Sequence, residues 1–322
     1  MVVNILKAGE NKLLTCFLNL VSVIFKSVSF LNLKIKSLRQ KRYEEITIIS
    51  IDNLSFGGTG KTTMVAEIGR ILQEQGIPFA IVSRGYKSKH EKKGLAVEPH
   101  HSAAEAGDEA KLLKTRFPDR DVLTGSSRHA SIMRAVEKKN RVVILDDGFQ
   151  STGIYRDIKI MLFNPQHPYY YLRNFKFLMN DEDYILVYDP EGKTGKQPTY
   201  RFERGHFYDI NGHIVEVGAE ALFGFSALGD NRRFKADLSG FDLTGFESFR
   251  DHYFFTEKDL EYLDKRRQES NAAYLVCTEK DFVKLKDYNL AHIPLIYAKN
   301  VIKCTIDLTG IILNDAAKNK AD

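Results

Sequence analysis

Apolar residues along this chain fall into short β-branched runs, separated by stretches in which they recur every three or four positions. Ile46–Ile51 is the first such run, and Val65, Ile68, Ile71 and Leu72 then share one helical face that Gly76 would close. Phe79–Val82, Val122–Thr124, Val142–Leu145, 157–163 and Tyr184–Tyr188 repeat the strand-like pattern. Strands alternating with helices predict right-handed βαβ units and a parallel sheet covered by helices. The stretch 190–198, punctuated by Pro and Gly, interrupts the alternation and reads as a linker. Two runs, 200–208 and 213–217, follow around Asn211-Gly212, which predicts a β-hairpin with a type I′ turn. Alternation then resumes, with strands expected at 222–227, 249–253, 274–278 and 295–298, and helices around Phe234 and from Thr256.

The N-terminal region has a different pattern. Between Lys12 and Lys26 lies an almost unbroken apolar run, shorter than the roughly 20 residues a comfortable membrane span needs. Thr15, Asn19 and Ser22 recur at helical spacing, opposite Phe17, Leu18, Val21, Ile24 and Phe25. Lys34, Lys36, Arg39, Lys41 and Arg42 follow. An apolar face beside basic residues suits an amphipathic helix lying on an anionic membrane surface; a plain packing helix fits the same pattern.

Composition narrows the field only a little. A formal net charge of +5 favours an anionic partner, but no tract interleaves Arg with aromatics, so a nucleic-acid partner is not expected. The three cysteines (Cys16, Cys277 and Cys304) are far apart, which argues against a disulfide framework or a zinc site. No sequence feature points to an obligate protein partner.

The chemistry concentrates at Ser55, Phe56, Gly57, Gly58, Thr59, Gly60, Lys61, Thr62 and Thr63, directly after the first apolar run and before the first helical pattern. Strand, glycine loop and helix in that order make a P-loop, whose backbone N–H groups form an anion-sized nest at a helix N-terminus. Lys61 would reach the β- and γ-phosphates of ATP, and Thr62 would bind Mg²⁺. The strict pattern asks for Gly where Ser55 stands; Gly57 and Gly58 leave the crowded part of the loop free to curl. Asp146 and Asp147 end the run Val142–Leu145, where the second element of a P-loop site places carboxylates for a hard divalent cation. Gly107-Asp108-Glu109 reads as an ordinary helix start or as the position of a catalytic acid. The expected architecture is therefore α/β: a P-loop NTPase-type parallel sheet flanked by helices (43–189), preceded by the amphipathic helix (1–42). A linker with a β-hairpin (190–218) would join it to a smaller α/β domain (219–322).

Several stretches together resemble the tetraacyldisaccharide 4′-kinases of lipid A synthesis. They are Asn53 through Thr62, Ser83-Arg84-Gly85-Tyr86, Gly107-Asp108-Glu109, Asp146-Asp147-Gly148-Phe149-Gln150, Asp251-His252 and Thr278-Glu279-Lys280-Asp281, in the family's order over most of the chain. The resemblance implies phosphoryl transfer from MgATP to the 4′-hydroxyl of an acylated disaccharide 1-phosphate lipid. It also implies a peripheral location on the cytoplasmic face of the inner membrane of a Gram-negative-type bacterium. Asp108 matches the family's catalytic acid and His252 the histidine paired with it, so that proton abstraction would depend on closure of one domain on the other. Arg84, Arg128, Gln150 and Arg173 are the substrate-binding candidates. Ser151 stands where the family usually has His.

A membrane-surface regulatory NTPase switch competes with this reading, because such switches share Gly-Gly-x-Gly-Lys-Thr loops. Those that dimerise across the nucleotide often carry Lys before the paired glycines, where this chain has Phe56. A lipid-binding protein with a relic P-loop would have no physical need to keep Lys61, Thr62, Asp146 and Asp147 together.

Overall fold

The structure, a computed structural model, describes residues 12–37, 40–53, 58–86, 88–148, 151, 153–167, 172, 183–192 and 197–318. Helix α1 is Lys12–Ser37 and strand β1 is Thr47–Asn53, followed by α2 (Lys61–Glu74) and β2 (Phe79–Ser83). The chain continues through β3 (Leu95–Ala96), α3 (Ala103–Ala106), α4 (Asp108–Arg116), β4 (Asp121–Thr124), α5 (Arg128–Glu137) and β5 (Val142–Asp146). Next come β6 (Ile158–Phe163), β7 (Tyr184–Tyr188), β8 (Thr199–Asp209), β9 (Ile214–Val215) and β10 (Leu222–Ser226). The last part holds α6 (Asn231–Asp237), β11 (Leu243–Ser248), α7 (Glu257–Glu269), β12 (Tyr274–Thr278), α8 (Glu279–Leu285), β13 (Leu295–Cys304) and α9 (Leu308–Lys318).

All these strands belong to one mostly parallel mixed sheet, in the order β11-β10-β12-β13-β8-β7-β6-β1-β5-β2-β4-β3, with β9 added to β8. Strand β1 lies between β5 and β6, both parallel to it, and every residue of β1 is buried. Burial on both faces fits its apolar residues at adjacent positions, Ile48 and Ile49, where a half-exposed strand would alternate. The antiparallel pairing of β8 with β13 joins the two ends of the sheet, from Ile296↔Asp209 to Cys304↔Tyr200. The strands expected for a second unit thus extend the first sheet instead of forming a separate one.

Packing nevertheless divides. One cluster covers β1, β2 and β5 with Met64, Val65, Ile68 and Leu72 of α2; another gathers Phe225, Phe255, Leu260, Leu263 and Leu275. Leu308 and Ile312 of α9, which the sequence places with the second unit, belong to the first cluster. The apolar face of α9 reaches back because β13 carries the chain across to β8.

Three local expectations change. The strand expected at 249–253 is instead β11, Leu243–Ser248. Phe249 and Tyr253 have strand-like side chains, but they flank a turn and pack with Phe225 and Phe255. The hairpin turn is not type I′: of the two central residues only Gly212 has positive φ, at 87°. Asp209 N–H donates to the His213 carbonyl and Gly212 N–H to the Asp209 carbonyl, the geometry of a three-residue loop with a glycine bulge. Finally, α1 is 26 residues long, and Leu14–Leu31 has a mean hydropathy of 1.8. By length and composition this longer helix could cross a membrane, although the run between Lys12 and Lys26 alone is shorter than a span.

The orientation of α1 inverts that of a helix on a soluble protein. Ser22 and Lys26 on its polar stripe are buried, whereas Phe17, Ile24, Val28 and Leu31 are 61–66% exposed.

Candidate active site

The phosphate loop is held from below. Asn53, the last residue of β1, donates through Nδ2 to Thr59 Oγ1 (2.9 Å) and accepts from Lys61 Nζ through Oδ1 (2.9 Å). Tyr200 on β8, itself buried, donates its hydroxyl to the Thr59 carbonyl at 2.9 Å. Gly60 has φ 88° and ψ 22°, and a Cβ there would fall 2.2 Å from the Phe202 ring. Glycine is required on both counts. No side chain caps α2, so the first-turn N–H groups of Lys61, Thr62 and Thr63 have no intrahelical acceptor, the arrangement that suits an anion at a helix N-terminus. Ser55, Phe56 and Gly57 lie outside the described residues, as do Gln150 and Arg173.

Asp146 and Asp147 stand at the C-terminal end of β5, next to β1. Lys61 Nζ is 3.8 Å from Asp147 Oδ1. Asp147 adopts φ 59°, a left-handed conformation uncommon outside glycine, with its N–H donating to the Ile51 carbonyl at 3.0 Å. Asp146 is buried, and its Oδ1 has no hydrogen-bond partner. Its carboxyl is pushed up to about 8, first by burial and then by the charges of Glu109 and Asp147, with Lys61 and Arg128 opposing. An ionised carboxylate is costly there without a cation.

A second cluster forms around Asp108, the first residue of α4. His252 Nδ1 lies 3.0 Å from Asp108 Oδ2, and Lys284 Nζ lies 3.5 Å from the same oxygen. Burial pushes the Asp108 carboxyl up. The His252 hydrogen bond and the charges of Lys284 and Lys280 outweigh it, so the group titrates below the ordinary carboxylate range. His252, at φ 59° in the turn after β11, is also left-handed. Non-glycine residues hold such conformations where surrounding structure enforces them, often at functional sites. Asp108, His252, Asp251, Tyr86 and Phe254 line a small cavity of about 150 Å³. The two clusters adjoin through Glu109, whose charge acts on both Asp146 and Lys280.

Helix α8 supplies what sequence reasoning missed. Thr278 caps it, its Oγ1 accepting from Asp281 N–H at 3.1 Å, so the Thr278-Glu279-Lys280-Asp281 stretch is a helix start. Glu279 takes a forked bond from Arg116 on α4, with Nε to the two oxygens at 2.9 and 3.1 Å. This pair fixes α8, with Lys280 and Lys284, against the helix that begins at Asp108. Asp281 and Lys284 are three apart on one helical face and form an ion pair at 3.2 Å, a spacing readable in sequence. Their approach to Asp108 is not.

The substrate-binding candidates separate. Arg84 is exposed and paired with Glu91 at 2.6 Å. Arg128 is buried, donates to the Gly125 carbonyl and keeps its Nε unpartnered; burial lowers its proton affinity, and Asp146 and Asp147 raise it. A larger cleft of about 750 Å³, between α2 and Tyr297 of β13, is lined by none of the candidate residues named from sequence.

Comparison with known proteins identifies the family and the fold. Residues 14–315 match the family model described as LpxK: Tetraacyldisaccharide-1-P 4′-kinase. The tetraacyldisaccharide 4′-kinase of Desulfotalea psychrophila is 30% identical over 88% of this chain and 90% of its own length. That of Geobacter metallireducens is 34% identical over 78% of this chain and 82% of its own. The crystal structure of an "apo" form of LpxK from Aquifex aeolicus in complex with ATP superposes with a TM-score of 0.76 at 25% identity, covering 95% of this chain and 99% of that one. With the family model matched over residues 14–315 and a relative 34% identical over 78% of the chain, the chain belongs to the tetraacyldisaccharide 4′-kinase family.

Proposed function

We propose that the chain transfers the γ-phosphate of ATP to the 4′-hydroxyl of a tetraacyldisaccharide 1-phosphate, with Asp108 accepting the hydroxyl proton. The observation that carries the role of Asp108 is its contact with His252 Nδ1 at 3.0 Å beside Lys284, which favours the ionised carboxylate. A sugar hydroxyl is a poor nucleophile. A carboxylate within reach takes its proton as the new O–P bond forms and the bond from phosphorus to the ADP oxygen breaks. His252 holds the carboxylate in place through its Nδ1 contact. Lys61 and the first-turn N–H groups of α2 bind the β- and γ-phosphates and fix the reacting phosphorus in line. Arg128, buried next to the aspartates with an unpartnered Nε, is the better substrate-side candidate; Arg84 is the weaker one, since Glu91 already engages it.

The donor set fits Mg²⁺. Asp146 Oδ1 is buried with no hydrogen-bond partner, and Asp147 brings a second carboxylate beside it. Thr62, Asp146 and Asp147 would hold the ion, which when bound offsets negative charge on the phosphates.

The chain acts, on this reading, at the cytoplasmic face of the inner membrane. Helix α1 turns its polar stripe to the protein and its apolar residues outward, which suits residence in an interface where an acylated substrate has its headgroup in water. The division into a core at 43–189, a linker at 190–218 and a second unit from 219 is read as functional too. Asp108 belongs to the first and His252 to the second, so the acid–histidine contact forms only when the two halves meet.

The test is to incubate the protein in mixed micelles with γ-labelled ATP and the disaccharide 1-phosphate, then treat the lipid with mild acid. A glycosidic 1-phosphate is cleaved, whereas label on the 4′-oxygen survives. Acid-stable label on the lipid supports the proposal; label released only as inorganic phosphate contradicts it.

A further inference from the structure

Lys284 lies almost out of reach of water, with its side chain 2% exposed on α8. Its Nζ is 3.2 Å from Asp281 Oδ1 and 3.5 Å from Asp108 Oδ2. An ammonium so placed must be paired. Asp281 has other partners, for its Oδ2 accepts from the Thr278 hydroxyl at 2.7 Å and from the Ala227 N–H at 3.1 Å. Helix capping does not need Lys284 either, since Thr278 performs it. What Lys284 adds is a charge on the same Asp108 oxygen that His252 contacts. Among the described residues, both contacts fall on Oδ2 and no hydrogen bond falls on Oδ1, beside the small cavity that Asp108 lines.

We propose that Lys284 is a positioning residue for phosphoryl transfer, its buried ammonium holding Asp108 ionised and turning the free carboxylate oxygen toward the acceptor hydroxyl. This rests on the reading of Asp108 as proton acceptor. The charged and titratable groups around Asp108 are His252 and Asp251 from the turn after β11, Lys280, Asp281 and Lys284 from α8, and Glu109 from its own helix. Tyr86 lines the same cavity. Lys280 is more exposed than Lys284 and is drawn to Asp251 at 3.8 Å, and His252 is one-third exposed. Lys284 is therefore the cation that solvent screens least.

Two variants test this in the full chain: Lys284→Met, and Asp281→Asn combined with Lys284→Met. The single variant leaves the Asp281 charge buried without its cation and loses stability. The double variant removes both charges, while the amide oxygen that Asp281→Asn introduces still accepts from Thr278 and Ala227. Removing the ammonium strengthens proton binding by Asp108, so the base is blocked at acid pH and recovers as pH rises. Expected for the double variant is a kcat about tenfold or more below wild type at the acid end of the profile, within about twofold at the alkaline end, with KM for ATP unchanged. A folded double variant whose kcat deficit is the same at every pH, or absent, overturns the proposal. Asp108→Asn, measured alongside, separates the two levels. If it keeps wild-type kcat, the proton-acceptor reading itself fails. If it is inactive while the Lys284 deficit is flat in pH, only the role of Lys284 fails.

Discussion

Replacing Phe17, Ile24 and Val28 together with Ser probes how the chain meets its lipid. These side chains are 61%, 62% and 66% exposed on the outward face of α1. Full burial of such a side chain is worth about 1.5–3 kcal/mol. At roughly 60% exposure, the part available to a membrane is about 1–2 kcal/mol each, or about 3–6 kcal/mol for the three. At about 1.4 kcal/mol per tenfold, vesicle partitioning should weaken roughly 10²- to 10⁴-fold. Co-sedimentation with anionic vesicles at low and high salt measures it. The contribution of exposed Lys41 and Arg42, about 1 kcal/mol per residue, is screened by salt, whereas apolar insertion is not. Wild type should therefore keep a salt-resistant bound fraction and the triple variant should lose it, with the thermal midpoint unchanged because none of the three is in a core. Undiminished salt-resistant binding would refute the anchoring role of α1. A variant that fails to fold would show that this face is packed rather than free.

Gly60→Ala should weaken ATP binding at least about 5- to 30-fold: a left-handed non-glycine residue costs about 1–2 kcal/mol, and its Cβ, 2.2 Å from the Phe202 ring, would have to displace it as well; equilibrium dialysis with labelled ATP checks it. Arg116→Met strands the buried Glu279 carboxylate and should lower unfolding free energy by about 3–5 kcal/mol, and adding Glu279→Gln should restore most of it, as urea denaturation would show. The Asp146 carboxyl, at about 8 when folded against 3.8 for the free group, keeps a proton that the unfolded chain releases. Its stability contribution is thus complete below 3.8 and is lost as pH rises through about 8. Metal-free protein should melt lower as pH increases across that window, and Asp146→Asn should flatten the slope.

The phosphate-loop half was legible because its signals are local. A strand buried on both faces carries apolar and β-branched residues at adjacent positions, and Ile46–Ile51 announces β1 with the loop directly behind it. Tyr274–Thr278, with four of its five residues buried, matches its strand residue for residue for the same reason; Tyr184–Tyr188 matches as well, although only Leu186 in it is buried. Phe249–Tyr253 misled, since aromatic residues that pack a turn against Phe225 look like those of a strand. The continuous sheet was invisible because it depends on β8 pairing with β13 across about a hundred residues. Lys284 and Arg116 escaped notice on similar grounds: a lysine on a short helix has no local mark of burial, and its partner lies far away in sequence. On α1 the polar positions could be found, but not that they turn inward, because periodicity does not say which side faces the protein.

The central claim, that Asp108 takes the proton of the acceptor hydroxyl, is tested most directly by single-turnover phosphoryl transfer with the Asp108→Asn variant. Enzyme preloaded with γ-labelled ATP is mixed with the disaccharide 1-phosphate in micelles, and the rate of label appearing on lipid is followed. General-base removal should slow that step about 10²- to 10⁴-fold, with ATP affinity unchanged. Transfer at the wild-type rate by a folded Asp108→Asn protein would contradict the account.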